Sequence, residues 1–401
     1  MENIFTALKK HTTLEIIWVV YMPKKLQPNN LKSNIKIIDI HNYSNALEIL
    51  KKEKPDVIFA WATHNFIDYA FSLAAKKMNI PVVSGFSRTL SQAATSSFKF
   101  NVNLLFEKSV STDIIEEKQF MKRGRFFLYK YNFLLKTQFV IKMKKFEIIK
   151  DFFILLKIYL SNPILPMYLK FENSLHWVSG EELLQVLIDK GFDKSKLVLT
   201  GHPMYDQTIK KIQLWKPYVK DQNIINVLFA PGTLAEHGFA KKLEQEKIVK
   251  KIVKLISAQK NIKLRIKIHP SSAILLDYQK LVNSINPSIP IFQDGDFLDF
   301  LNETDVLITF PDTSVIAESL IAKKPVIIVN FTSLDDDIIK RGLALECKNI
   351  SFLPNKINDA LSSNPASEKK MQKFISEFFY KLDGKASERI VNSIIKLVNK
   401  N

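Results

Sequence analysis

The sequence contains few of the residues that mark several common structural classes. Cys347 is the only cysteine in 401 residues, which excludes an internal disulfide framework and a cysteine-based zinc site and favours a reducing compartment. Ten glycines and sixteen prolines are too few for a collagen-like or low-complexity chain. Residues 1–14 lack the apolar core of a signal peptide, so we expect a cytoplasmic protein.

What is present is globular, with 46% hydrophobic and 24% charged residues. Acidic residues are outnumbered: 58 Lys and Arg against 40 Asp and Glu give a net charge of +18, which favours phosphate-rich partners. The excess is local, because Lys118–Lys170 holds twelve basic residues and two acidic ones, interleaved with aromatic residues. The longest uncharged run of this stretch, Ile158–Leu169, is broken by two prolines and is too short to span a bilayer.

Three interpretations of this basic, aromatic-rich stretch stay open. Such a helical segment can lie in the headgroup layer of an anionic membrane. It can also be an insertion that packs its apolar face on its own domain while the lysines are solvated. Single-stranded nucleic acid is the third candidate, and it is disfavoured because no nucleic-acid motif occurs elsewhere in the chain.

Strand and helix patterns alternate in two separate series, which predicts parallel sheets with crossover helices. We expect an α/β protein with a Rossmann-like N-terminal domain over 1–205, interrupted by the basic helical insertion at 118–171. A linker is predicted at 206–223 and a second Rossmann-like domain at 224–375. A C-terminal helix is predicted at 376–401. Two such sheets in tandem predict a cleft, with ligands at the carboxyl ends of the strands.

Polar residues follow three predicted strands of the second domain. Gly232 and Thr233 come directly after the strand Asn226–Ala230, where a glycine permits close approach of a phosphate to the backbone. His269 and Pro270 leave the strand that ends at Ile268, and a histidine there can donate to a phosphate oxygen. Taken alone, the segment at Gly232 is more typical of a plain turn with a helix cap, and His269 is also explained as a residue that caps its own loop.

The third segment follows the strand Val306–Thr309. Thr313 or Ser314 can cap the next helix, whose first N–H groups would hold a diphosphate. Glu318 lies one helical turn beyond Ser314, where its carboxylate can accept both ribose hydroxyls. Because three such strand ends share one domain, the sequence predicts a nucleotide site there.

Several of these residues resemble a known superfamily. The order HP, TSVIAES, KKPVIIV and DGKASERI resembles the C-terminal domain of GT-B enzymes, with the UDP-N-acetylglucosamine 2-epimerases and related glycosyl- and glycerophosphate transferases as the nearest branches. Residues 53–83 and 177–206 are similar to the N-terminal domain of that family. The resemblance implies two Rossmann-like domains facing a cleft. It also implies that His269, Thr313, Ser314 and Glu318 hold the donor nucleotide, with Gly232 and Thr233 beside them.

The sequence departs from the hydrolysing epimerases at two positions. Their Gly-Asp-Thr turn is replaced by Ala62-Thr63-His64-Asn65, and no glutamate follows the IPV strand, where Ser84–Arg88 stands. Epimerisation needs carboxylates to remove and return a proton. Transferases that use CMP-sugars or CDP-glycerol share the His-Pro and Ser/Thr residues and do not need that carboxylate set.

The catalytic base of a transferase has four candidates by position. His64 and Asp68 follow the third predicted strand, and Glu236 and His237 follow Gly232 and Thr233. Asp68 is also explained as an acid that stabilises a helix N-terminus. No cofactor and no metal is expected, because Asp335–Asp337 is explained as the cap of the helix that follows.

We therefore expect a glycosyltransferase that moves a sugar or related group from a UDP-, CMP- or CDP-linked donor to a glycan or lipid-linked acceptor. The basic insertion would place it on the inner face of the cell membrane. The alternatives are a UDP-N-acetylglucosamine 2-epimerase, hydrolysing or not, and a CDP-glycerol glycerophosphotransferase. A non-catalytic nucleotide-sugar or RNA-binding protein is a third class.

Overall fold

The computed structural model describes residues 2–20, 35–60, 66–86, 123–160, 174–216, 218, 221, 223–235, 240–270, 274–311, 313–332, 336–362 and 365–399, with the backbone alone at 123–127 and 155–160. These residues form two compact units. Unit 1 comprises the described residues up to 86, those from 123 to Pro203 and those from Ala386 onward. Unit 2 comprises the described residues from Met204 to Lys385.

Unit 1 alternates strands and helices, and its strands pair in parallel. The strands are β1 (Ile16–Val20), β2 (Ile35–Asp39), β3 (Ile58–Phe59), β4 (Val82–Phe86), β5 (Leu175–Val178) and β6 (Leu197–Leu199). β1 pairs with β2, and the others form a sheet in the order β3-β4-β5-β6. The helices are α1 (Glu2–Leu8), α2 (Ala46–Glu53), α3 (Phe66–Met78), α4 (Arg123–Val140), α5 (Lys145–Leu160) and α6 (Glu181–Asp189).

Two helices, α4 and α5, occupy the described part of the basic insertion. α4 is an integral part of unit 1, because Phe133 and Leu134 are buried in the same core as Phe71 of α3. The Thr137 hydroxyl of α4 accepts a hydrogen bond from the backbone N–H of Ala46 at 3.1 Å, at the start of α2. For α4, the structure therefore supports an insertion that packs on its own domain.

Unit 2 contains a six-stranded parallel sheet. Its strands are β7 (Ile225–Ala230), β8 (Ile262–Lys267), β9 (Ile291–Phe292), β10 (Val306–Thr309), β11 (Val326–Val329) and β12 (Leu345–Cys347), and they lie in the order β12-β11-β10-β7-β8-β9. The helices are α7 (Asp206–Gln213), α8 (Lys242–Ser257), α9 (Leu275–Asn283), α10 (Phe297–Asn302), α11 (Val315–Ile321), α12 (Asp337–Lys340), α13 (Leu353–Ser362) and α14 (Glu368–Phe374).

Alternation along the strands explains why both faces of this sheet carry helices. Val227 and Phe229 of β7 are buried in one apolar cluster, whereas Leu228 and Ala230 are buried in another. Because successive strand residues point to opposite faces, an all-apolar strand must be covered on both sides. The buried runs of β7, β10 and β11 are thus typical of a doubly wound α/β sheet.

The structure differs from the sequence prediction at the expected linker. Residues 206–223 begin with the helix α7, and Ile209 of α7 is buried in a cluster of unit 2 together with Tyr205 and Phe379. The Tyr205 and Phe379 rings meet edge to face with their centroids 5.1 Å apart. The first part of the expected linker therefore belongs to the folded unit 2.

The last described helix, α15 (Ala386–Val398), belongs to unit 1. Its buried residues Ile390 and Ile394 share a cluster with Ile4 of α1 and with Trp177 of β5. The helix predicted within 376–401 is present here, but no sequence pattern indicates the core that it completes.

Candidate functional site

Strand order places the three predicted ligand segments side by side. β7 lies between β10 and β8 in the sheet, so the residues that follow these three strands meet at one edge. The chain order reverses between β7 and β10, since β8 and β9 extend the sheet on one side of β7 and β10, β11 and β12 extend it on the other. Such a switch point leaves a crevice beyond the carboxyl ends of the strands, where ligands of doubly wound sheets bind.

Gly232 lies directly at this switch point. A Cβ atom at Gly232 would be 3.6 Å from Cβ of Phe310, 3.7 Å from the Pro311 carbonyl oxygen and 4.0 Å from Cβ of Thr313. The two strand ends are also tied by the Thr309 hydroxyl, which donates to the Ala230 carbonyl at 2.7 Å. The structure thus brings Gly232 and Thr313 together.

His269 and Pro270 lie beyond the carboxyl end of the neighbouring strand, β8, and both are exposed. The side-chain amide of Gln293 donates to the carbonyl oxygens of His269 and Pro270 at 3.4 and 3.2 Å. Lys267, the last residue of β8, is 6% exposed, and its Nζ donates to the Gln293 carbonyl at 2.7 Å. Burial lowers the pKa of Lys267 below its usual range, and the nearby carboxylates of Asp294 and Asp296 oppose that effect.

Thr313, Ser314 and Glu318 follow β10. Ser314 occupies the N-cap position of α11, but its side chain makes no capping hydrogen bond and is exposed. Glu318 lies one turn further and is largely buried, and burial raises the pKa of its carboxyl to about 7. The negative charge of Asp296 adds to this rise.

Asp296 is a residue of this edge that the sequence analysis missed. It follows β9 and caps α10 by accepting from the backbone N–H of Leu298 at 2.9 Å, and it accepts from Lys211 at 2.7 Å. Burial alone would raise the pKa of Asp296, but these hydrogen bonds bring it below its ordinary value. Its negative charge raises the pKa of both Glu318 and Lys267.

Lys267, Gln293 and Asp296 could have been found in the sequence by one signal. Each lies at or just after the end of a predicted strand, as His269 and Thr313 do. Unlike His269 and Thr313, they support the edge from beside it, and no motif marks them in the sequence.

The predicted catalytic residues are mostly outside the described part of the chain. Three of them, His64, Glu236 and His237, are not among the residues that the structure describes, so their roles stay predictions. Asp68 is half-buried in the first turn of α3 and belongs to unit 1. Burial lowers the pKa of Lys130 on α4, and the charge of Asp68 opposes that effect. The position of Asp68 in the first turn of α3 agrees with its explanation as an acid that stabilises a helix N-terminus.

The acidic run before α12 serves as a helix cap, as predicted. The Asp336 carboxylate accepts from the backbone N–H groups of Ile338 and Ile339 at 2.8 and 3.3 Å. Within the part of the chain that the structure describes, no three His, Cys, Asp or Glu side chains are grouped so that they could hold a metal ion.

Comparison with known proteins agrees with this geometry. The model of the family described as UDP-N-acetylglucosamine 2-epimerase matches residues 173–395, which is more than half of the chain and includes the whole sheet of unit 2. The chain belongs to the UDP-N-acetylglucosamine 2-epimerase family. Family membership confirms the resemblance seen in the HP, TSVIAES and DGKASERI segments.

A relative outside the epimerases also matches. The teichoic acid poly(ribitol-phosphate) polymerase of Bacillus spizizenii is 30% identical over 235 residues, which are 51% of this chain and 34% of that protein. This chain therefore spans about a third of the polymerase.

Solved structures also resemble the whole chain, and two of them are from different enzymes. The S. aureus MnaA structure with UDP has a TM-score of 0.50 and 16% identity, and the match covers 100% of this chain and 93% of that one. The wall teichoic acid polymerase TagF has a TM-score of 0.51 and 12% identity, with 100% and 85% covered. At such low identity these matches show the fold, and the predicted α/β, GT-B type fold is confirmed.

Proposed function

We propose that this protein is a transferase that moves a sugar or a related group from a nucleotide-linked donor to a glycan or lipid-linked acceptor at the membrane surface. The observation that carries the proposal is the switch point between β7 and β10, where Gly232 and Thr313 lie together. The family model matches this same unit, and the chain is an enzyme of the GT-B and epimerase superfamily.

Each described residue has a role in this proposal that its chemistry permits. Gly232 has no side chain that would keep a phosphate from the backbone N–H groups after β7. His269 is exposed beside it and would donate to a phosphate oxygen of the donor. Glu318, once ionised, would accept from the ribose hydroxyls, since a carboxylate has acceptor sites for two donors. The base that activates the acceptor hydroxyl would come from His64, Asp68, Glu236 or His237.

The donor site is tested by isothermal titration calorimetry with UDP, CMP and CDP. We expect His269→Ala to weaken binding of the preferred nucleotide at least tenfold, because hydrogen bonds to charged groups contribute about 1.5–3 kcal/mol. Glu318→Ala should weaken the binding of the nucleotides but not the binding of inorganic pyrophosphate, which has no ribose. The matched control is His11→Ala, which changes an exposed histidine of unit 1. Unchanged affinity in both unit 2 variants would refute the site.

Epimerisation is the second candidate, and the family match favours it. The two reactions are separated by incubation with UDP-N-acetylglucosamine alone, because an epimerase needs no acceptor and a transferase forms little product without one. Formation of the C2 epimer from UDP-N-acetylglucosamine alone would favour the epimerase and contradict the transferase proposal. Glycerophosphate transfer is distinguished from both reactions because it releases CMP from CDP-glycerol in the presence of an acceptor. That route is prompted by the matched polymerase and by a TagF structure soaked with CDPG.

A further inference from the structure

The helix α5 is fixed to unit 1 by one of its faces. Ile148 is buried with 8% exposure. The Asp151 carboxylate, three residues further, accepts from the Tyr69 hydroxyl at 2.8 Å and from the Gln138 side-chain amide at 2.9 Å. Because residues three apart share one side of a helix, Ile148 and Asp151 fix which side of α5 faces unit 1.

The other side of α5 presents large apolar side chains to solvent. Phe146, Ile149 and Phe153 are 76%, 55% and 61% exposed, and Ile154 is 36% exposed. With Lys150 they line a shallow apolar groove, and we call these five residues the docking face. Their spacing of three, four and seven residues is that of a single helical stripe. A contiguous apolar surface that stays uncovered after folding marks an interaction site.

Basic residues surround this stripe. Lys142, Lys144 and Lys145 precede or begin α5 and are exposed, and Lys150 is exposed within the docking face. Of the two acidic residues nearby, Asp151 is engaged on the packed side, which leaves Glu147. Lysines beside exposed phenylalanines match a lipid surface, where aromatic rings enter the boundary of headgroups and acyl chains and ammonium groups meet phosphates.

From this geometry we infer that the docking face binds the surface of an anionic phospholipid bilayer, with α5 lying in the plane of the headgroups. None of the helices that the structure describes is both long and apolar enough to cross a membrane. This inference rests on the proposed function, which supplies the reason for membrane binding, since a lipid-linked acceptor is reached from the membrane surface. The buried side of α5 keeps the rest of unit 1 attached to the docked helix.

The test is co-sedimentation of the protein with vesicles of phosphatidylcholine and phosphatidylglycerol, and with vesicles of phosphatidylcholine alone. We expect binding to the anionic vesicles and at least tenfold weaker binding of Phe146→Gln/Phe153→Gln, because two rings no longer leave water. Each of Lys144→Ala, Lys145→Ala and Lys150→Ala should weaken binding about fivefold at low salt. The matched control is Leu243→Gln/Leu276→Gln, which changes two leucines of unit 2 that are 71% and 64% exposed.

Each other outcome has a defined meaning. No binding to anionic vesicles, or equal binding by the phenylalanine variant and wild type, would overturn the inference. So would release by millimolar inorganic phosphate at constant ionic strength, which would mark a site for free phosphate. A dimer in sedimentation velocity that Phe153→Gln dissociates, without vesicle binding, would show that a second copy covers this face. Nucleotide affinity should stay unchanged in all of these variants, so failure of the donor site is recognised separately.

Discussion

At the scale of single residues, the burial of Glu318 makes the stability of unit 2 depend on pH. Its carboxyl is largely buried, and its pKa rises from 4.5 to about 7. Between these values the unfolded chain has released a proton that folded unit 2 still holds, so the free energy of unfolding falls as the pH rises. The loss is up to about 3 kcal/mol and is complete above pH 7.

Glu318→Gln should remove this pH dependence. We expect the variant to gain stability relative to wild type between pH 5 and pH 8, as measured by urea unfolding at both values. Glu244→Gln, at an exposed glutamate of α8, is the control and should follow wild type. Nucleotide binding should strengthen in wild type as the pH rises through 7, since the ionised carboxylate is the better acceptor for ribose hydroxyls. An equal pH response in wild type and Glu318→Gln would contradict this role.

At the scale of elements, the contact of β4 with β5 depends on a glycine. A Cβ atom at Gly85 would lie 2.1 Å from Cε2 and Nε1 of Trp177, whose side chain is buried across the strand pair. We expect Gly85→Ala to destabilise the protein by about 1–3 kcal/mol or more, because the ring cannot move without disturbing the core. Thermal unfolding followed by circular dichroism measures the loss.

Gly232→Ala is the matched control for this substitution. Its methyl group would meet neighbours at 3.6 Å or more, which is ordinary contact. Its melting temperature should stay near that of wild type. A comparable loss of stability in the two variants would show that the Trp177 contact is not the cause.

The elements that could be predicted from the sequence are those whose apolar run is itself the signal. The strand predicted at Val306–Thr309 appears as β10 with the same bounds, because both of its faces are buried. The apolar run Val326–Val329, which forms β11, is buried in the same way. β12 was missed, since Leu345-Glu346-Cys347 is short and its middle residue is charged. α7 was assigned to a linker, because the few buried residues of α7, such as Ile209, make too weak a pattern.

The same limit applies to the candidate site. The polar residues after β7, β8 and β10 could be predicted because each follows a strong strand pattern. The effect of Asp296 on the pKa values of Glu318 and Lys267 could not be predicted, since these residues are on different segments of the sequence that the strand order brings to one edge.

At the scale of the whole molecule, the two units have separate cores, and α15 belongs to the core of unit 1 although it follows unit 2 in the sequence. Ile390 is fully buried in the cluster of unit 1 that contains Ile4 and Trp177. Ile390→Ala should destabilise unit 1 by about 2–5 kcal/mol. In hydrogen–deuterium exchange we expect faster exchange in peptides of α1 and β5, with β7 and β10 unaffected.

The reciprocal control is Ile357→Ala in α13, which is fully buried in unit 2. It should accelerate exchange in β7 and β10 and leave α1 and β5 unchanged. Equal acceleration throughout the chain in either variant would show that the molecule unfolds as one cooperative body.

The arrangement of unit 1 has a consequence for biosynthesis. Its core joins Ile4, near the start of the chain, to Ile394, almost four hundred residues later. The described residues of unit 2 all lie between Met204 and Lys385, so they can assemble while the ribosome is still translating. Unit 1 must wait for α15 to leave the exit tunnel, and its apolar residues stay accessible to chaperones until then.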